Sequence, residues 1–207
     1  LLDSTFKYNM PFIHEHNLLF VHIPKTGGTS IEKKFDLEPS YYNCYRHDEL
    51  LFPAKNTIFS QQHYTPDIIK DLYESWFNNY KKFTIVRNPY SRSISEYFFR
   101  NNVTAFDDDD FYKWIERFCK TGHLLDHILP QSDYFVGVEY DYVLKFESLK
   151  DDFKNMCVVL GIDPELGHHN KSGFDCKKCV KELSQKSIEF INKKYIDDFT
   201  KFGYKFI

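Results

Sequence analysis

The chain has 207 residues, enough for one domain with a sizeable core and too few for two ordinary ones. A composition of 42% hydrophobic and 28% charged residues excludes a disordered chain, and a net charge of −3 excludes a general nucleic-acid binder with a basic face. No apolar run approaches the roughly 20 residues that a membrane-spanning helix needs.

The start, Leu1-Leu2-Asp3, carries neither an initiator methionine nor a signal-peptide pattern, so the expectation is that the natural N-terminus is missing. Leu18 to Ile23 is a short apolar run ended by Pro24 and reads as a buried strand. A glycine turn follows, and Ile31 to Phe35 reads as a helix that Thr29 or Ser30 can cap. Thr57 to Ser60 reads as a second strand. Ile68, Ile69, Leu72, Trp76 and Phe77 then recur at helical spacing just beyond Pro66. Lys82 to Val86 is β-like and stops at Asn88-Pro89, after which Ser91 is placed to cap a helix from about Arg92 to Arg100.

The acidic run Asp107 to Asp110 precedes a helix around Phe111 to Phe118. Negative charge at a helix N-terminus accounts for it better than a metal does, because four adjacent aspartates cannot all face one ion. Tyr140 to Phe146 gives a further strand. Leu149, Phe153, Met156, Cys157 and Leu160 mark one helix face, closed by Gly161. Residues 162–183 show no clear periodicity, and a last helix follows Ser184 with Ile188, Ile191 and Tyr195 on one side. Alternating strands and helices imply a single three-layer α/β domain over 1–207, built around a central parallel sheet flanked by helices.

Five cysteines leave one unpaired in any pairing. Cys157 lies in a helical apolar pattern and reads as a buried thiol. Cys176-Lys177-Lys178-Cys179 supplies two of the four ligands of a structural zinc site, and His168 and His169 match no common finger spacing. The pair is expected to be structural and apart from the chemistry, and no metal is expected. Asn102-Val103-Thr104 and Asn170-Lys171-Ser172 are glycosylation sequons that matter only in a secretory chain.

The strongest signal is a strand, then Pro24-Lys25-Thr26-Gly27-Gly28-Thr29-Ser30, then a helix. Backbone N–H groups of a glycine turn and the positive end of the next helix make an anion site. Lys25 adds a full charge; Thr26, Thr29 and Ser30 add hydroxyls. A nucleotide-hydrolysing loop places its lysine after the glycines, whereas Lys25 precedes Gly27 and Gly28. A kinase or NTPase is therefore the alternative reading, together with a non-catalytic nucleotide-binding module.

From Phe20 to Ser30 the sequence resembles the sulfotransferase loop for a 5′-phosphosulfate, in particular that of the carbohydrate branch and its short bacterial relatives. Phe83-Thr84-Ile85-Val86-Arg87-Asn88-Pro89-Tyr90-Ser91-Arg92 is similar to that family's second signature, in which an Arg and a Ser eight positions later hold a 3′-phosphate. Those roles fall on Arg87 and Ser95. Ser60-Gln61-Gln62-His63-Tyr64-Thr65, Pro130 to Tyr134, Lys145 to Leu149 and Asp198 to Tyr204 also resemble family segments.

The resemblance implies a P-loop-like fold and 3′-phosphoadenosine 5′-phosphosulfate (PAPS) as sulfuryl donor. It also implies a hydroxyl acceptor, with a saccharide favoured, and no nucleic-acid partner. Lys25, Thr26, Gly27, Gly28, Thr29 and Ser30 would hold the 5′ end, with Lys25 stabilising the leaving group. His63 would be the general base, with Glu96 as the alternative, while His22 reads as structural. Bacterial-like brevity favours the cytoplasm; the sequons allow a Golgi lumen if an N-terminal anchor precedes the chain.

Overall fold

A computed structural model describes residues 11–37, 44–46, 58–121, 125–167 and 174–207. Leu1 to Asp3, Thr57, His168, His169 and the sequon at 170–172 lie outside them. The strands are β1 (Phe12–Ile13), β2 (Leu18–Val21), β3 (Cys44–Arg46), β4 (Ile58–Ser60), β5 (Lys81–Val86) and β6 (Tyr142–Lys145). The helices are α1 (Thr29–Lys34), α2 (Pro66–Asn79), α3 (Pro89–Asn101), α4 (Asp108–Thr121), α5 (Leu125–Ile128), α6 (Leu149–Leu160), α7 (Cys176–Val180), α8 (Gln185–Lys194) and α9 (Ile196–Phe202).

All four residues of β2 are buried, as expected of a strand covered on both faces. The pleat divides them: Leu18 and Phe20 enter one core, Leu19 and Val21 another. The first core is completed by Ile31 of α1 and by Phe153, Met156 and Cys157 of α6. Ile68, Ile69 and Phe77 of α2 complete the second. β5 runs parallel to β2 with Phe20 opposite Phe83, and the two rings stack with centroids 4.9 Å apart. Each such ring, fully buried, contributes about 1.5–3 kcal/mol.

The sheet order is β1-β2-β5-β6, with β1 antiparallel to β2 and the other pairs parallel. This is an open, mostly parallel α/β sheet. β4 does not join it. It pairs with β3 in a separate antiparallel ribbon, because β1 and β5 already occupy both edges of β2. A third cluster, formed by α3, α4, α8 and α9 around Tyr90, Phe111, Ile191 and Phe199, packs beyond the sheet. No described helix is long and apolar enough to cross a membrane.

Three helix boundaries differ from the sequence expectation. α3 starts at Pro89 because the Asn88 side chain accepts hydrogen bonds from the Tyr90 and Ser91 N–H groups, with proline at the first helical position. α1 starts after Gly28 with no side-chain cap. The last helix breaks at Tyr195, so that α8 and α9 are distinct; Ser184 caps α8 as expected. The stretch without periodicity contains α7, five residues capped by Asp175. The aspartates of the acidic run fill the first turn of α4, where Asp107 accepts from the Asp110 N–H.

Candidate active site

Parallel pairing puts the C-terminal ends of β2 and β5 side by side, and the two signature loops leave the sheet there. This is the edge of an open α/β sheet at which ligands bind. Gly27 takes φ +90°, where an L side chain is strained, and Lys25 is also left-handed at φ +66°. Among the described residues, the backbone N–H groups of Thr26, Gly27, Gly28 and Thr29 find no backbone acceptor. They are left as donors of the kind that can hold an oxyanion.

Gly28 is required for packing. A Cβ there would collide with the imidazole of His22. That ring is itself fixed by donating from Nδ1 to Glu32 Oε1 (2.6 Å), both partners being buried. Gly28→Ala is therefore expected to destabilise the fold by about 1–3 kcal/mol through overpacking, measured as a lower midpoint in urea unfolding.

The hydroxyls of the loop divide in role. Thr26 is fully buried and donates to the carbonyl of Ile23 (2.7 Å), which holds the turn, whereas Thr29 and Ser30 remain partly exposed. The Lys25 ammonium sits 3.8 Å from the centroid of the Phe99 ring. Burial, opposed by the carboxylate of Glu96, lowers its pKa to about 8.

Arg87 follows β5 and is 6% exposed. Its Nη1 donates to the carbonyl of Lys25 (3.0 Å) and its Nε to Ser91 Oγ (3.0 Å), so one guanidinium ties the two loops together. Ser91 makes this contact to Arg87, and Ser95 lies one turn further along the same face of α3, half-buried. The backbone of Arg87 is clamped by Gln131, whose Oε1 accepts from its N–H (2.8 Å) and whose Nε2 donates to its carbonyl (2.8 Å). Asp198, fully buried, accepts from Gln131 in turn. The segments at 130–134 and 198–204 thus act as a backing for Arg87. Arg92 is also buried and donates to the carbonyls of Pro24 (3.0 Å) and Leu129 (2.9 Å), which makes it a structural staple of the same loops.

Cys176 is not apart from this site. Cys176 lies near enough to Arg87 to offset part of the cost of burying its charge, and both Cys176 and Cys179 are buried against α3 as free thiols. The segment carrying them returns over the second loop, which no local pattern in the sequence announces.

His63 ends the 3-10 turn Gln61–His63 and is 3% exposed. Its Nδ1 lies 3.0 Å from the carbonyl of His22. A carbonyl can only accept, so Nδ1 carries the proton and Nε2 holds the lone pair that a base requires. The Gln62 amide donates to that Nε2 at 3.1 Å. The ring packs edge-on between His22 and His127, with centroid distances of 4.6 and 5.1 Å. Burial, reinforced by the neighbouring imidazoles, pushes its pKa well below that of a free histidine.

Glu96 has both oxygens occupied, by Arg100 Nε (2.7 Å) and by His127 Nδ1 (2.9 Å). Burial works to raise its pKa, but the hydrogen bonds from His127 and Arg100 outweigh it and keep the carboxyl below its ordinary range. It is a partner for His127, not a free acceptor for an incoming proton. His127 is the residue that the sequence reading missed. It stands only three positions before the Pro130 segment, a signal that could have found it.

The sulfotransferase family model matches residues 9–205. No curated protein and no solved structure matches the chain. With both signature loops at one sheet edge and a buried histidine beside them, a match of that length decides the classification: the chain belongs to the sulfotransferase family and is a transferase of sulfur-containing groups.

Proposed function

We propose that the enzyme takes its sulfuryl group from PAPS and passes it to a hydroxyl of a saccharide, within one three-layer, P-loop-like catalytic domain. The observation that carries this reading is the hydrogen bond from Arg87 to the Lys25 carbonyl, which joins two cationic loops into one cradle. Its donor set suits a nucleotide with anionic groups at both ends. Lys25 and the amides of 26–29 suit the 5′-phosphosulfate; Arg87, with Ser91 and Ser95 along α3, suits the 3′-phosphate.

When bound, the donor supplies the sulfuryl group and a phosphate as leaving group. Lys25 meets the charge that builds on the leaving oxygen, with the loop amides beside it. His63 takes the acceptor's proton on Nε2, in place of the hydrogen bond it now accepts from Gln62, while His22 holds the opposite nitrogen. Phe99, 60% exposed next to the Lys25 ammonium and nearly parallel to the His127 ring, offers an aromatic face on which a sugar ring can stack.

The test is a comparison of adenosine 3′,5′-bisphosphate with AMP by calorimetry. Losing a charge-assisted contact inside a cleft costs about 1.5–3 kcal/mol, so the bisphosphate should bind more than about tenfold tighter. Equal affinities would remove the 3′-phosphate assignment and favour a nucleotide kinase. Transfer of labelled sulfate from PAPS to a panel of oligosaccharides then decides the acceptor class.

A further inference from the structure

His63, Asp126 and His127 come together from two segments far apart in sequence, and one ligand atom from each lies within 4.8 Å of the others. All three sit inside the protein: His63 is 3% exposed, Asp126 1%, and the His127 side chain 11%. The imidazoles cross nearly perpendicular, at 88°. Each has its Nδ1 committed to an acceptor outside the cluster. His63 donates to the His22 carbonyl (3.0 Å) and His127 to Glu96 Oε2 (2.9 Å). In the neutral form of both rings the remaining nitrogen, Nε2, is therefore the one that carries the lone pair.

A histidine that donates one ring N–H to a carbonyl or carboxylate, leaving the other nitrogen as a lone pair, is the arrangement that orients metal-ligating histidines. Two imidazole nitrogens and one carboxylate oxygen form a borderline donor set. Three protein ligands leave a fourth position open on an ion such as Zn²⁺. Asp126 Oδ1 accepts from the His127 N–H (3.0 Å), which helps to fix the carboxylate.

The surrounding charge permits a cation. Glu96 stands behind His127 and Glu32 behind His22, while the nearby Arg92 is turned to backbone carbonyls. The group an ion would displace is the Gln62 amide, now 3.1 Å from His63 Nε2.

We propose that His63, Asp126 and His127 form a site for a borderline divalent cation such as Zn²⁺. Occupation of the site would take the lone pair of His63 out of the reaction, so that the ion inhibits transfer reversibly. The inhibition, though not the site, rests on the reading of His63 as the base.

Co²⁺ titration of the chelator-treated enzyme should give the visible d–d absorption of a low-coordinate ion at one equivalent, and Zn²⁺ should bleach it. Asp126→Asn and His127→Gln should each weaken the metal by more than about tenfold, the lower bound seen when only an outer hydrogen-bond partner of a ligand is lost. Long-range ¹H–¹⁵N spectra of the unmutated enzyme provide a readout that no folding defect can obscure. Two histidine Nε2 resonances should move on adding Zn²⁺. No absorption and no shifted Nε2 would overturn the site, as would unchanged affinity in both variants. Metal bound at these residues without loss of transferase activity would leave the site standing and remove His63 from the base role.

Discussion

Replacing His63 with alanine is expected to lower kcat by about 10²–10⁴, the range for a positioned general base, with little change in nucleotide affinity. The separation follows from placement. His63 contacts the His22 carbonyl, the Gln62 amide and two other imidazoles, and among its described contacts none is to the loop amides, Lys25 or Arg87. Alanine also empties a buried position, so part of any loss could reflect a looser core. His63→Asn removes that ambiguity. Its side-chain amide can reproduce the Nδ1 donor to the His22 carbonyl but offers no basic nitrogen. Turnover in both variants should fall together while the bisphosphate dissociation constant holds. An asparagine variant that turns over normally would exclude His63 as base and direct attention to His127.

The parts of the site that were legible in sequence are those whose geometry is written locally. Lys25 to Ser30 specify a turn through the left-handed demand at Gly27 and the absence of a side chain at Gly28. Arg87-Asn88-Pro89 specifies a strand end and a capped helix start. Parallel pairing of β2 with β5 then brings the two loops together, as alternation of strands and helices implies.

What was not legible depends on contacts across long stretches of chain. Glu96 read as a spare carboxylate because its partner, His127, is 31 residues away. The cysteine pair read as remote because nothing local shows that α7 returns to pack against α3. That β4 pairs with β3 and not with the central sheet was not legible either, because a run as short as Thr57 to Ser60 says nothing of which edge is vacant. The offset at α3 has a local cause: Asn88 and Ser91 can both cap a helix, and the proline after Asn88 decides between them.

Lys25 should show both a loss on mutation and a pH dependence that His63 does not share. Lys25→Ala is expected to weaken the bisphosphate by more than about tenfold, the cost of one charge-assisted contact. It should also lower kcat by about 10²–10³, as removal of a donor aimed at developing charge does. Both constants move because the ammonium meets anionic oxygen in the ground state and in the transition state. The pH prediction follows from burial, which lowers the ammonium's pKa to about 8 in the nucleotide-free enzyme. Anion binding requires the protonated form, so once the phosphates are fully ionised, from about pH 7 to 8, affinity should be flat. Above that range, affinity should fall with pH, by at most tenfold per unit. Stability of the free enzyme should move the other way. Between about 8 and the ordinary lysine range of about 10.4 the unfolded chain binds the proton more tightly than the folded one, so stability rises with pH there. Lys25→Ala should abolish both slopes. Calorimetric titrations from pH 6.5 to 9.5 on the two proteins read the first slope, and urea unfolding reads the second. An affinity that declines equally in the variant would assign the proton to another group and leave Lys25 with a purely structural place in the turn.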